Sequence, residues 1–85
     1  MKSYLEFRYV ILNALVGIKC FTPEKAAEFA ANAGDDVPLA TLGIDSMSVI
    51  DLCMDIEEKT GRVVLIEELI DNPTINELAK FMSEN

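Results

Sequence analysis

From Ser3 to about Ile18, Phe7, Val10, Ile11, Ala14 and Ile18 recur at three- and four-residue spacing, which makes one stripe of a helix at about 3.6 residues per turn. Leu5, Tyr9, Leu12 and Val16 fall on the other side, so this helix needs cover from more than one direction. After a connection over residues 17–21, Thr22-Pro23-Glu24 is a start signal: threonine as N-cap, proline at the first helical position, an acid in the first turn. Ala26, Ala27, Phe29 and Ala30 extend it into a short helix ending near Gly34, placed to cover the second side of the first. Residues 35–43 read as a loop leading to a new start at Asp45-Ser46.

The next helix runs from Ser46 to about Thr60 and is closed by Gly61. Val63 to Ile66 is a short apolar stretch, and a brief helical turn follows around Glu67 to Asp71, broken by Asn72-Pro73. Thr74 with Glu77 three residues on fits a capping box. The last helix then reaches about Ser83, with Ile75, Leu78, Ala79 and Met82 on its apolar side. Arg62-Val63-Val64-Leu65 contains strand formers, but a lone strand has nothing to pair with. The pattern predicts an all-α fold: a small four-helix bundle with an extra short helix in its long first loop.

On a helical wheel of residues 46–60, Val49, Leu52, Cys53, Ile56 and Thr60 form the core stripe. Met47, Ile50 and Met54 fall on the other side, among Asp51, Asp55, Glu57 and Glu58. A helix that only had to fold would keep that outer face polar. Methionine suits a surface that must accept several partners, and the carboxylates would steer and anchor Lys or Arg on a partner. The plain alternatives are a covering neighbour helix or scattered surface apolars.

Composition narrows the function. With 85 residues the chain makes one domain, residues 1–85, that buries only about 60% of its unfolded surface. About half of the residues are hydrophobic (51%), which fits a globular chain. The formal charge of −8 argues against nucleic acid and anionic membrane as partners and for partners with basic patches. No apolar run approaches the roughly 20 residues that cross a bilayer. Val10 to Val16 follows Glu6 and Arg8 and does not read as a signal peptide, so a cytoplasmic protein is expected.

Cys20 and Cys53 read as reduced thiols, Cys53 buried, and two cysteines are too few ligands for zinc. With no histidine, no side chain has an unperturbed pKa near neutrality, and a Ser-His-Asp or Cys-His site cannot be built. No metal site and no enzyme activity of its own are expected.

Asp45-Ser46 is at minimum a helix cap. A serine at the first helical position also holds its hydroxyl near free backbone N–H groups and the positive end of the helix dipole. A phosphodiester on that oxygen would be favourably placed. Lacking a base to activate it, the hydroxyl reads as a substrate that another enzyme modifies.

Leu42-Gly43-Ile44-Asp45-Ser46-Met47 resembles the phosphopantetheine attachment motif of acyl carrier proteins, usually Leu-Gly-x-Asp-Ser-Leu. Val49 to Thr60 resembles their acidic second helix, and Glu67 to Ala79 their third and fourth, closest to carriers of polyketide and nonribosomal-peptide pathways. The resemblance covers about Val37 to Met82, and the first helix by pattern only. It implies a 4'-phosphopantetheine arm from coenzyme A, placed on Ser46 beside Asp45 by a phosphopantetheinyl transferase that itself holds most of the Mg²⁺. The arm would carry acyl, aminoacyl or aryl groups as thioesters.

Partners implied are acyl-loading and acyl-processing enzymes of adenylation or ligase, acyltransferase, ketosynthase or condensation type. They would contact Met47, Ile50, Asp51, Met54, Asp55 and Glu58 on a monomeric carrier. Met47 replaces the usual Leu, Thr60 stands where an aromatic is frequent and would reshape a cargo cavity, and Leu65 stands where Pro is frequent. With the long segment before the motif, these departures favour specialised biosynthesis over primary fatty-acid synthesis. A rival class is an acidic helical adaptor that binds through the same Met47, Ile50 and Met54 face and carries no arm.

Overall fold

A computed structural model describes residues 3–84 of the chain, so the ends of the expected 1–85 domain, Met1, Lys2 and Asn85, lie outside the described residues. Helix α1, Tyr4–Gly17, opens on a capping box. The Ser3 hydroxyl accepts from the Glu6 N–H at 3.3 Å while Glu6 Oε1 accepts from the Ser3 N–H at 3.2 Å, satisfying two donors the helix cannot satisfy itself.

Phe7, Ile11, Leu12, Ala14 and Leu15 are buried, and α1 packs against α5 (Ile75–Glu84), α3 (Ser46–Thr60) and α2 (Pro23–Ala31). The second stripe is only partly covered, because Leu5 and Tyr9 stay exposed. Nine residues of α2 reach back only about 14 Å along α1, short of Leu5. Tyr9 edges a shallow groove whose α2 wall includes Ala26, Ala27 and Ala30, side chains too short to cover a ring.

Thr22 caps α2 by accepting from the Lys25 N–H at 3.1 Å, with Pro23 at its start. The helix ends at Ala31, three residues before the expected Gly34. Its end is secured from an unexpected direction: Arg8, only 2% exposed, donates to the carbonyls of Phe29, Asn32 and Asp35 and through Nε to Asn76 Oδ1 at 2.7 Å. The last carbonyls of a helix carry partial negative charge, so these acceptors offset part of the desolvation of a buried guanidinium.

The following segment is tied to the residues that lead into α5. The Leu39 N–H donates to the Pro73 carbonyl at 2.8 Å and the Ile75 N–H to the Val37 carbonyl at 3.3 Å, around an isolated bridge between Pro38 and Thr74. Within the stretch expected as loop, Leu39–Leu42 makes one 3₁₀ turn. Helix α3 has the expected bounds, with Gly61 at φ 73° stopping it. Helix α4 covers Ile66–Asp71, and α5 begins where the Thr74 hydroxyl accepts from the Glu77 N–H at 3.1 Å.

Ile11, Leu15, Leu52, Ile56, Ile75 and Leu78, fully buried, form the centre of one hydrophobic cluster. The fold is all-α, a small helical bundle with the additional α2 in its first connection, and no strand forms among the described residues. No helix among them is long and apolar enough to cross a membrane.

Candidate functional site

The geometry at Ser46 is set by the residues that precede it. Gly43 ends the 3₁₀ turn at φ 71°, a left-handed conformation that costs a residue with a Cβ about 1 kcal/mol or more. That turn redirects the chain so that half-buried Ile44 packs against the core and Asp45 follows with extended backbone as the N-cap of α3. Asp45 Oδ1 accepts from the Ser48 N–H at 2.8 Å. This bond, with help from the Ser48 side chain, holds the Asp45 carboxyl below the usual aspartate range, so it is ionised at neutral pH.

Ser46, at the first position of α3, is exposed. Its hydroxyl stands at the positive end of a 15-residue helix, open to a partner and without a histidine anywhere in the chain. Among the described residues no group of three or more His, Cys, Asp or Glu side chains is placed to hold a metal ion.

The remaining candidate residues divide. Met47, Ile50 and Met54 are exposed, at 74%, 49% and 61%, and Asp51, Glu57 and Glu58 are exposed with them. Asp55 sits on the flank toward α1 instead: it is half-buried, 3.9 Å from where a Cβ on Gly17 would stand, and pairs with Lys59 at 2.9 Å. Cys53, expected buried, is half-buried because it lines the open groove between α3 and the residues leading into α4. Burial, then the charge of Glu68, raises its thiol pKa. Cys20 is also half-buried, its thiol raised by burial and by the Asp45 charge.

The sequence pattern missed how far the apolar surface extends. Val63, Leu65, Ile66 and Ile70 are all exposed, continuing the Met47–Ile50–Met54 face across the connection to α4. Ile66 and Ile70 are four residues apart among acids, the same signature that marked the outer face of α3, but in a helix of six residues too short for a wheel to display. One groove here, lined by Ile50, Cys53, Met54, Leu65 and Ile66, has a volume of about 360 Å³.

A second groove of about 260 Å³ opens beside the Ser46 motif between Leu39, Ile44, Val49, Leu52, Leu69 and Ile70. Its lining is hydrophobic, so it can shelter a short apolar group. Thr60 lines neither groove: its hydroxyl donates to the Ile56 carbonyl at 2.7 Å and accepts from the Arg62 N–H at 3.1 Å, so it finishes α3 at the end far from Ser46.

Comparison with known proteins adds two findings. Residues 25–82 match the family model described as a phosphopantetheine attachment site. Over 59 residues, 69% of this chain, the sequence is 39% identical to nonribosomal peptide synthetase 2 of Gibberella zeae. The match spans about 1% of that protein's own length. No solved structure matches significantly.

Proposed function

This chain belongs to the phosphopantetheine-attachment family, a carrier of covalently held 4'-phosphopantetheine, and we propose that Ser46 is its attachment residue. The carrying observation is the exposed hydroxyl at the first position of α3, beside the Asp45 cap. The residues fit the group. A phosphodiester on Ser46 Oγ lies at a helix N-terminus, where backbone N–H groups and the dipole favour negative charge, and the apolar groove beside Ile44 and Val49 offers cover to part of the arm or its load.

In the installing step, Ser46 Oγ forms a new bond to the β-phosphorus of coenzyme A. The pyrophosphate P–O bond breaks, adenosine 3',5'-bisphosphate leaves, and the serine proton passes to a base of the transferase, since the chain has no histidine to take it. Once bound, the arm supplies a terminal thiol that holds an acyl or aminoacyl group as a thioester.

Residues 1–85 act in this reading as a single carrier domain, a substrate of its partner enzymes rather than a catalyst. The synthetase relative favours nonribosomal-peptide or related specialised biosynthesis, with adenylation- and condensation-type partners. Met47, Ile50, Asp51, Met54 and Glu58 give the α3 face those partners dock on, with Asp55 at its flank.

The test is intact mass after incubating the apo protein with coenzyme A and a broad-specificity phosphopantetheinyl transferase. Wild-type protein gains one arm and Ser46→Ala gains none. An unmodified wild-type chain, or equal labelling of the variant, overturns the assignment.

A further inference from the structure

The buried guanidinium of Arg8 lies outside everything the carrier reading uses, and its contacts trace a path toward the attachment serine. Besides the carbonyls of Phe29, Asn32 and Asp35, it bonds Asn76 Oδ1. Asn76 in turn donates from Nδ2 to the Asp35 carbonyl at 3.1 Å and from its backbone N–H to Asp36 Oδ1 at 3.0 Å. Asp36 Oδ1 also accepts from the Val37 N–H at 2.9 Å. Arg8 and Asn76 thus hold residues 32–37 against α1 and α5, immediately before the Val37–Ile75 and Leu39–Pro73 hydrogen bonds.

Beyond Leu39 the chain is held more lightly, by Leu42 and Ile44 packed against the rim of the core. Ala40, Thr41 and Gly43 are exposed, and Leu42 and Ile44 only half-buried. The first turn of α3 contains no fully buried residue either: Ser46 and Met47 are exposed, Ser48 and Val49 half-buried, and Leu52 is the first to be buried. The start of α3 is therefore placed by the half-buried contacts of Leu42, Ile44 and Val49 together with the path of the segment that feeds it.

We propose that Arg8, with Asn76, is a positioning residue for Ser46: a polar latch that sets the course of residues 32–39 and so steadies the turn delivering the serine to its transferase. The inference rests on the carrier reading. Because the docking face of α3 is untouched, loss of the latch lowers kcat for arm transfer and spares KM.

The experiment compares Arg8→Met, Arg8→Lys, Asn76→Ala and, as a control cavity in the α5 core, Met82→Ala, under conditions where each is fully folded. Transfer kinetics from coenzyme A are measured beside hydrogen exchange at the Leu39 and Ile75 amides. A displaced nucleophile costs about tenfold or more in rate, so Arg8→Met and Asn76→Ala should lose about that much kcat at unchanged KM, with faster exchange at both amides. Arg8→Lys, which keeps a charge and some donors, should fall between.

Met82→Ala should transfer within about a factor of two of wild type. Equal kinetics in the latch variants and the control, or unchanged exchange at the two amides, overturns the proposal. If Arg8→Met does not fold, Asn76→Ala decides alone, since it leaves Arg8 its three carbonyls. Failure of the wild-type chain to accept an arm sinks the carrier reading and the positioning role with it, whereas normal wild-type transfer with indifferent variants sinks the latch only.

Discussion

Helices α4 and α5 are separated by only three residues and are built on opposite terms. Over Ile75–Glu84, α5 buries Ile75, Leu78, Ala79 and Met82. Over Ile66–Asp71, α4 buries Leu69 alone and leaves Ile66 and Ile70 in solvent. Six residues are too few for a helix to persist by itself, so α4 exists because Leu69 is held in the bundle and the Leu65 N–H is caught by Glu68 Oε1 at 2.8 Å. Stability is concentrated in α1, α5 and the inner face of α3. The outer face of α3 and its neighbour α4 carry apolar surface that contributes nothing to the core, and this contrast is what the proposed docking face rests on.

That division can be tested in descending order of effect. Leu52→Ala or Ile56→Ala, each at a fully buried position, should cost about 2–5 kcal/mol in denaturant unfolding. Leu69→Ala should lie at the low end of about 2–5 kcal/mol, with α4 amides exchanging by local opening long before the α5 amides. Equal losses and equal exchange in both helices would erase the distinction.

On the outward side, Met54→Glu or Asp51→Lys should change stability by no more than about 0.5 kcal/mol while lowering kcat/KM for transferase or partner processing. Unchanged kinetics in both would remove this face from docking.

The smallest effect concerns Asp45. Its carboxyl pKa is depressed in the fold by the Ser48 hydrogen bonds, so between that depressed value and the ordinary aspartate value the unfolded chain binds more protons than the folded one. The cap's contribution is complete above the ordinary value and is lost as pH falls through the depressed one. Asp45→Asn, still a good N-cap, should abolish that acid-side decline. Parallel pH profiles of the unfolding midpoint for variant and wild type would contradict it.

The sequence was most legible where both ends of an element are marked. Asp45 and Gly61 fix α3 to the residue, and the threonine-capped start and apolar period of α5 reappear as its buried side. It was least legible where tertiary partners decide. Arg8 is buried because carbonyls of α2 and the following loop, distant in sequence, surround it, and no pattern local to the first helix marks it. Leu15, fully buried, belonged to neither stripe drawn on the first helix, because three neighbouring helices widen the covered arc beyond either. At the candidate site, Ser46 and the exposed methionines were visible from local pattern, whereas the spread of apolar surface onto α4 depends on how a short connection folds back.

Gly43 and Gly61, at φ 71° and 73°, bracket α3 with two left-handed bends, and both lie in open space with nothing near a potential Cβ. Asp45 and Gly61 mark where the helix between them starts and stops, while its placement in the bundle depends on the segment that leads into it. The exposed positions Met47, Ile50, Asp51 and Met54 can therefore change without moving either boundary, while Leu52 and Ile56 keep the bundle closed.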